Sequence, residues 1–124
     1  MKFNKIEMTA ILSMAHVMTI ADGKIEDEET RFISSEIAKF GIPLSDFKAI
    51  FIDGIDMDPS YAAEIISKMT DEQKLYVLSF LGTLMAVDKD IDDTEMALWK
   101  SLSQLCGLPT MSVTDAISYM AAID

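Results

Sequence analysis

Leu78 to Pro109, LSFLGTLMAVDKDIDDTEMALWKSLSQLCGLP, falls without a gap on Leu12 to Pro43, LSMAHVMTIADGKIEDEETRFISSEIAKFGIP. Nine positions carry the same residue: Leu12, Ser13, Asp22, Ile25, Asp27, Glu29, Ser35, Gly41 and Pro43 match Leu78, Ser79, Asp88, Ile91, Asp93, Glu95, Ser101, Gly107 and Pro109. The matches gather at two turns, so what repeats is a supersecondary unit: an apolar helix, an acidic turn, an amphipathic helix, a Gly-x-Pro stop and a short helix. One residue inserted after Pro109 extends the match, setting Ser45, Ala49 and Ile50 on Ser112, Ala116 and Ile117. Two such units are expected to pack about a pseudo-twofold axis, with their apolar helices side by side as a shared core.

Working outward, start and stop signals divide the chain into helices. Asn4 with Glu7, and Thr70 with Gln73, have capping-box spacing, in which each side chain satisfies a backbone N–H of the other residue. Behind these caps lie the two most apolar segments, one with Ile6, Ile11, Met14 and Met18, the other with Leu75, Val77, Leu78, Phe80, Leu81 and Leu84. Each is apolar around most of its circumference and belongs at the centre of a fold. Phe32, Ile33, Ile37 and Phe40 give a second helix its buried stripe. Ser45 is read as the cap of a third helix that Asp53-Gly54 closes, and Asp58-Pro59 as a cap with proline in the first turn of a fourth. Helices from about Asp93 to Cys106 and after Ser112 complete the set. With no period-two alternation to nominate a strand, the prediction is an all-α fold of about seven helices in two pseudo-symmetric repeats around two central apolar helices. It forms one domain over 1–124, with repeat one at about 4–53, a connection and helix at about 54–69, and repeat two at about 70–124.

Composition narrows the function. The 124 residues, 50% of them hydrophobic, suffice for one domain with a real core. A single cysteine, Cys106, and polar Lys2, Asn4, Lys5 and Glu7 behind Met1 point to a cytoplasmic protein without an intramolecular disulfide. Apolar runs such as Val77 to Val87 are too short to span a bilayer. A net charge of −11, with ten dispersed Lys and Arg residues, disfavours nucleic acid and anionic lipid as partners.

Ala21-Asp22-Gly23-Lys24-Ile25-Glu26-Asp27-Glu28-Glu29, followed by Phe32 and the Phe40-Gly41-Ile42 stop, resembles the signature of the TerB-like family of tellurite-resistance proteins, to which the amino-terminal helical domain of DjlA co-chaperones is similar. Val87 to Glu95 with Cys106-Gly107-Leu108 looks like a second copy, with Lys89 where glycine is usual. The resemblance implies two pseudo-symmetric helical halves, a stress-response role in the cytoplasm or close to a membrane through a partner, metal or partner binding, and no established catalytic activity.

The candidate ligands sit in the acidic turns. Asp88, Asp90, Asp92 and Glu95 in the second copy, with Asp22, Glu26 and Glu29 in the first, could supply carboxylate oxygens to a divalent cation, the one candidate cofactor. The match to a calcium loop ends early. Counted from Asp88, the glycine and bidentate glutamate places of an EF-hand hold Asp93 and Trp99. Asp92 with Glu95 and Glu26 with Glu29 also have capping-box spacing, which accounts for these acids without an ion. His16 has no metal-ligand company, Cys106 reads as a small buried hydrophobe, and Asp53 to Asp58 as a solvated connection. No nucleophile–base pair or phosphate loop is apparent, so the chain is expected to be no enzyme. The expected function is that of a non-catalytic interaction or scaffold module with a protein partner; the alternative is a weak divalent-cation binder.

Overall fold

The computed structural model describes residues 3–19, 27–40, 44–87 and 93–123, apart from the side chains of residues 19, 27–29 and 44. Among the described residues there are seven helices and no strand: α1 (Lys5–Thr19), α2 (Asp27–Ala38), α3 (Leu44–Asp56), α4 (Pro59–Ser67), α5 (Asp71–Ala86), α6 (Asp93–Leu105) and α7 (Val113–Ile123). None of these helices is long and apolar enough to cross a membrane.

Local chemistry places the ends. The Asn4 N–H donates to Glu7 Oε1 at 2.9 Å and the Glu7 N–H to Asn4 Oδ1 at 2.8 Å. Thr70 and Gln73 repeat this at the head of α5, at 3.0 and 3.1 Å. The two boxes lie sixty-six residues apart, as Leu12 lies from Leu78, so the duplication begins at the caps themselves. Asp58 caps α4 through the Ser60 N–H at 2.8 Å, with Pro59 in the first turn. At the end of α6, Gly107 turns left-handed at φ 67°, which lets the Leu108 N–H reach Ser103 O at 2.8 Å and the Gly107 N–H reach Gln104 O at 3.2 Å. Because the two boxes do the same work, Asn4→Ala and Thr70→Ala are each expected to cost about 1 kcal/mol in chemical unfolding. A loss confined to one of them would break the equivalence.

The interior belongs to α1 and α5. Met8, Ile11, Leu12, Met14 and Met18 of the first, and Val77, Leu78, Phe80, Leu81 and Leu84 of the second, are all at most 3% exposed. These two helices touch each other; α1 packs chiefly on α3 and α4, and α5 chiefly on α7. Helix α6 is tied to α5 by the Trp99 indole N–H, which donates to Leu78 O at 3.2 Å.

Three sequence expectations need correction. Helix α3 does not close at Gly54 but continues to Asp56, because Gly54 is where it presses on α1: a Cβ there would lie 3.0 Å from Leu12 Cβ and 3.1 Å from the Ser13 backbone nitrogen. Glycine here is a contact residue rather than a stop, and Ser45 sits inside the first turn of α3 instead of capping it. The inserted residue after Pro109 is not there in structural terms either. Ile50 and Gly54 are buried on α3, and their counterparts sixty-six residues on, Ala116 and Met120, are buried on α7. In the slipped register exposed Ala49 would match buried Ala116, and buried Ile50 would match Ile117, which is 42% exposed. A one-residue slip rotates a helix by about 100°, so the letters matched while the faces did not.

Candidate functional site

Of the seven predicted ligands, Asp22, Glu26, Asp88, Asp90 and Asp92 lie outside the described residues, as does the side chain of Glu29. Glu95 alone is described, and it is 7% exposed in the first turn of α6 rather than displayed on a solvated bend. Among the described residues no three His, Cys, Asp or Glu side chains converge as a metal site would require.

Among the described residues, an open concavity lies where the sequence suggested only a connection. Lys5, Ile6 and Thr9 of α1, Asp53 and Asp56 of α3, and the Met57-Asp58-Tyr61 entry to α4 line a groove of about 470 Å³. Its geometry follows from the continuation of α3. Because that helix runs on through Gly54, Asp53 and Asp56 stand on a regular helix beside α1 instead of in a loose linker. Thr9 spends its hydroxyl on Lys5 O at 2.8 Å and Ser13 donates to Met57 O at 3.4 Å, so these hydroxyls are already engaged by backbone. What the groove offers a ligand is apolar surface from Ile6, Met57 and Tyr61, framed by Asp53, Asp56 and Asp58 against the one cation of Lys5. Ile6 and Tyr61 are 47% and 49% exposed, and Ile52 and Ile55 on α3 are 47% and 42% exposed.

A second polar group escaped the sequence reading. Glu36, 4% exposed, accepts a hydrogen bond from the Tyr76 hydroxyl on Oε1 at 3.0 Å and pairs through Oε2 with Lys39. The signal was present: Glu36 stands four residues from both Phe32 and Phe40, in the middle of the stripe named as buried.

Cys106 is fully buried, and burial pushes its thiol up to about 11 from 9.0. Raising the pKa by these two units leaves about 100-fold less thiolate at pH 8, so disulfide reagents are expected to modify Cys106 only as fast as the chain unfolds. Because the folded pKa is the higher one, this group's contribution to stability is intact below pH 9 and lost as pH rises toward about 11. A Cys106→Ala variant should lack that part of the alkaline loss; rapid labelling of the native protein would show an accessible thiol. His16, half-buried, meets Phe51 edge-on at 6.5 Å between ring centroids.

No protein-family profile matches the chain, and no curated protein matches it. Among solved structures it is similar to the crystal structure of a protein of unknown function from Porphyromonas gingivalis, at 43% identity over 98% of this chain and 98% of that one, with a TM-score of 0.85. Identity of that size over nearly the full length of both chains, with the same fold, places this chain in one protein family with the Porphyromonas gingivalis protein.

Proposed function

We propose that this chain is a non-catalytic interaction module of a stress-response system of the tellurite-resistance kind, and that its groove between α1, α3 and α4 receives a basic, aliphatic segment of a protein partner. The observation that carries the reading is the groove, which joins an apolar floor to three carboxylates. Large half-exposed Ile and Tyr side chains beside acids suit a segment with Lys or Arg next to Leu, Ile or Met: the aliphatic parts remove apolar surface from water while charge steers the encounter. An overall charge of −11 favours a basic partner over an acidic one. The stress-response setting rests on the TerB-like resemblance of Ala21 to Glu29 and Val87 to Glu95.

Selection of a phage-displayed peptide library on the folded protein tests the groove. Peptides combining basic and aliphatic residues are expected, their binding should shift the NMR signals of Ile6, Thr9 and Tyr61, and Asp53→Asn with Asp56→Asn should weaken it at least ten-fold. Enrichment of acidic peptides, or shifts confined to another face, would overturn the assignment. Calorimetric titration with calcium, magnesium, manganese and zinc tests the competing chemistry. The interaction reading expects no saturable heat; heat that disappears with Asp88→Asn and Asp92→Asn would replace it with cation binding.

A further inference from the structure

Glu36 is a buried carboxylate that the second unit does without. Its counterpart in the second unit, sixty-six residues on, is Leu102, 6% exposed and purely apolar. Taking a charge out of water is costly, and replacing a buried ion pair by a well-packed hydrophobe is often neutral or stabilising. The Tyr76 hydroxyl, whose own counterpart is Ala10, accounts for Glu36 Oε1; Oε2, which pairs with the half-exposed Lys39, calls for a further reason.

That reason lies in its surroundings. Glu36 opens onto a cleft of about 330 Å³ whose other walls are Phe40, Glu72, Tyr76, Tyr119 and Ile123. The Phe40 and Tyr76 rings meet at 87° with centroids 5.2 Å apart, and Phe3 packs on both, at 5.1 and 5.5 Å, so an aromatic cluster stands next to the carboxylate. Glu72 sits one turn before Tyr76 on α5 and faces Tyr119: the hydroxyl of Tyr119 is raised above its ordinary value by burial and then by the charge of Glu72. The lining thus carries two carboxylates against the single ammonium of Lys39, among aromatic and aliphatic surface. Lys39 shows which chemistry the carboxylate accepts, because its own ammonium rests on Glu36 Oε2 from a side chain 43% exposed at the rim.

We propose that this cleft is a binding site for an alkylammonium group, with the cationic head between Glu36 and Glu72 and the alkyl arm along Phe40 and across to Ile123. The aromatic surface favours a cation carrying carbon over a bare metal ion or a hydrated sodium ion. Lys39 competes for the same oxygens, which makes the built-in ammonium a gate that an incoming one displaces. The site shares no residue with the groove between α1, α3 and α4, so either can be right without the other.

The test is an NMR titration of the full chain with n-butylammonium chloride, set against potassium chloride and sodium butyrate at equal ionic strength. Saturable shifts are expected for butylammonium alone, confined to residues 36–40, 72–76 and 119–123. Glu72→Gln, a change at an exposed position, should weaken binding several-fold, and Lys39→Met should strengthen it several-fold by removing the competitor. Glu36→Gln, which keeps an oxygen for the Tyr76 hydroxyl while removing the charge, should weaken binding at least ten-fold with little change in melting temperature. Equal shifts with potassium, shifts elsewhere, or unchanged affinity in both Glu72→Gln and Lys39→Met would overturn the proposal. So would an unchanged affinity in Glu36→Gln, or a large drop in its melting temperature, which would make the charge a structural member.

Discussion

Phe80→Ala is expected to destabilise the protein by about 3–5 kcal/mol, a fall on the order of 10–20 °C in Tm. Phe80 has no exposed surface and lies on α5 between two rings, 5.4 Å from the Phe32 centroid at 24° and 6.0 Å from that of Tyr76 at 7°. Truncation removes the transfer energy of a full aromatic side chain and leaves a cavity whose walls come from both units, because Phe32 belongs to α2 and Tyr76 to α5. Neither wall can collapse alone. Thermal and urea unfolding measure the loss; a cost under about 1 kcal/mol would mean that the ring is not at the junction of the two halves.

Gly82 gives the second large effect, in the opposite steric direction. A Cβ on Gly82 would lie 2.8 Å from Trp99 Cζ2 and 2.9 Å from Ala116 Cβ, both closer than unbonded carbons approach. Alanine would ordinarily help the interior of a helix by roughly 1 kcal/mol. Here overpacking of α5 against α6 and α7 outweighs that gain, and Gly82→Val is expected to cost about 2–3 kcal/mol, with Gly82→Ala losing less. The matching positions of the first unit hold His16, Ile33 and Ile50, so the second unit trades three middle-sized side chains for one large and two small ones. Trp99→Ile, as at Ile33, should therefore recover part of the Gly82→Val loss. Strictly additive single and double variants would show that Gly82 and Trp99 do not share a space.

The helices were legible because their punctuation is local. Asn4, Thr70, Asp58-Pro59 and Gly107 each act within a few residues, so reading neighbours sufficed to find them. The faces were less legible, since identity at Ala49 and Ala116 does not say which way a helix is turned. Only packing does, and the pairs Ile50–Ala116 and Gly54–Met120 were invisible because their residues differ. Gly54 misled for a related reason: glycine serves as a stop and as a close contact, and only the approach of Leu12 tells the two apart. The groove stayed hidden behind that error, as a helix end read as a linker offers no wall. Glu36 was passed over because a stripe is read from its apolar members, and a carboxylate among them registers as an interruption rather than as a buried group with a Tyr76 partner.

Native-state hydrogen exchange, followed amide by amide, tests most directly whether the two units hold one interior between them. The slowest amides are expected in α1 and α5, at residues 10–15 and 76–81, with equal opening free energies that match global unfolding and decline together as urea is added. If one member of pairs such as Leu12 and Leu78 exchanged through a cheaper opening while the other stayed protected, each half would have its own core and the shared interior would be refuted.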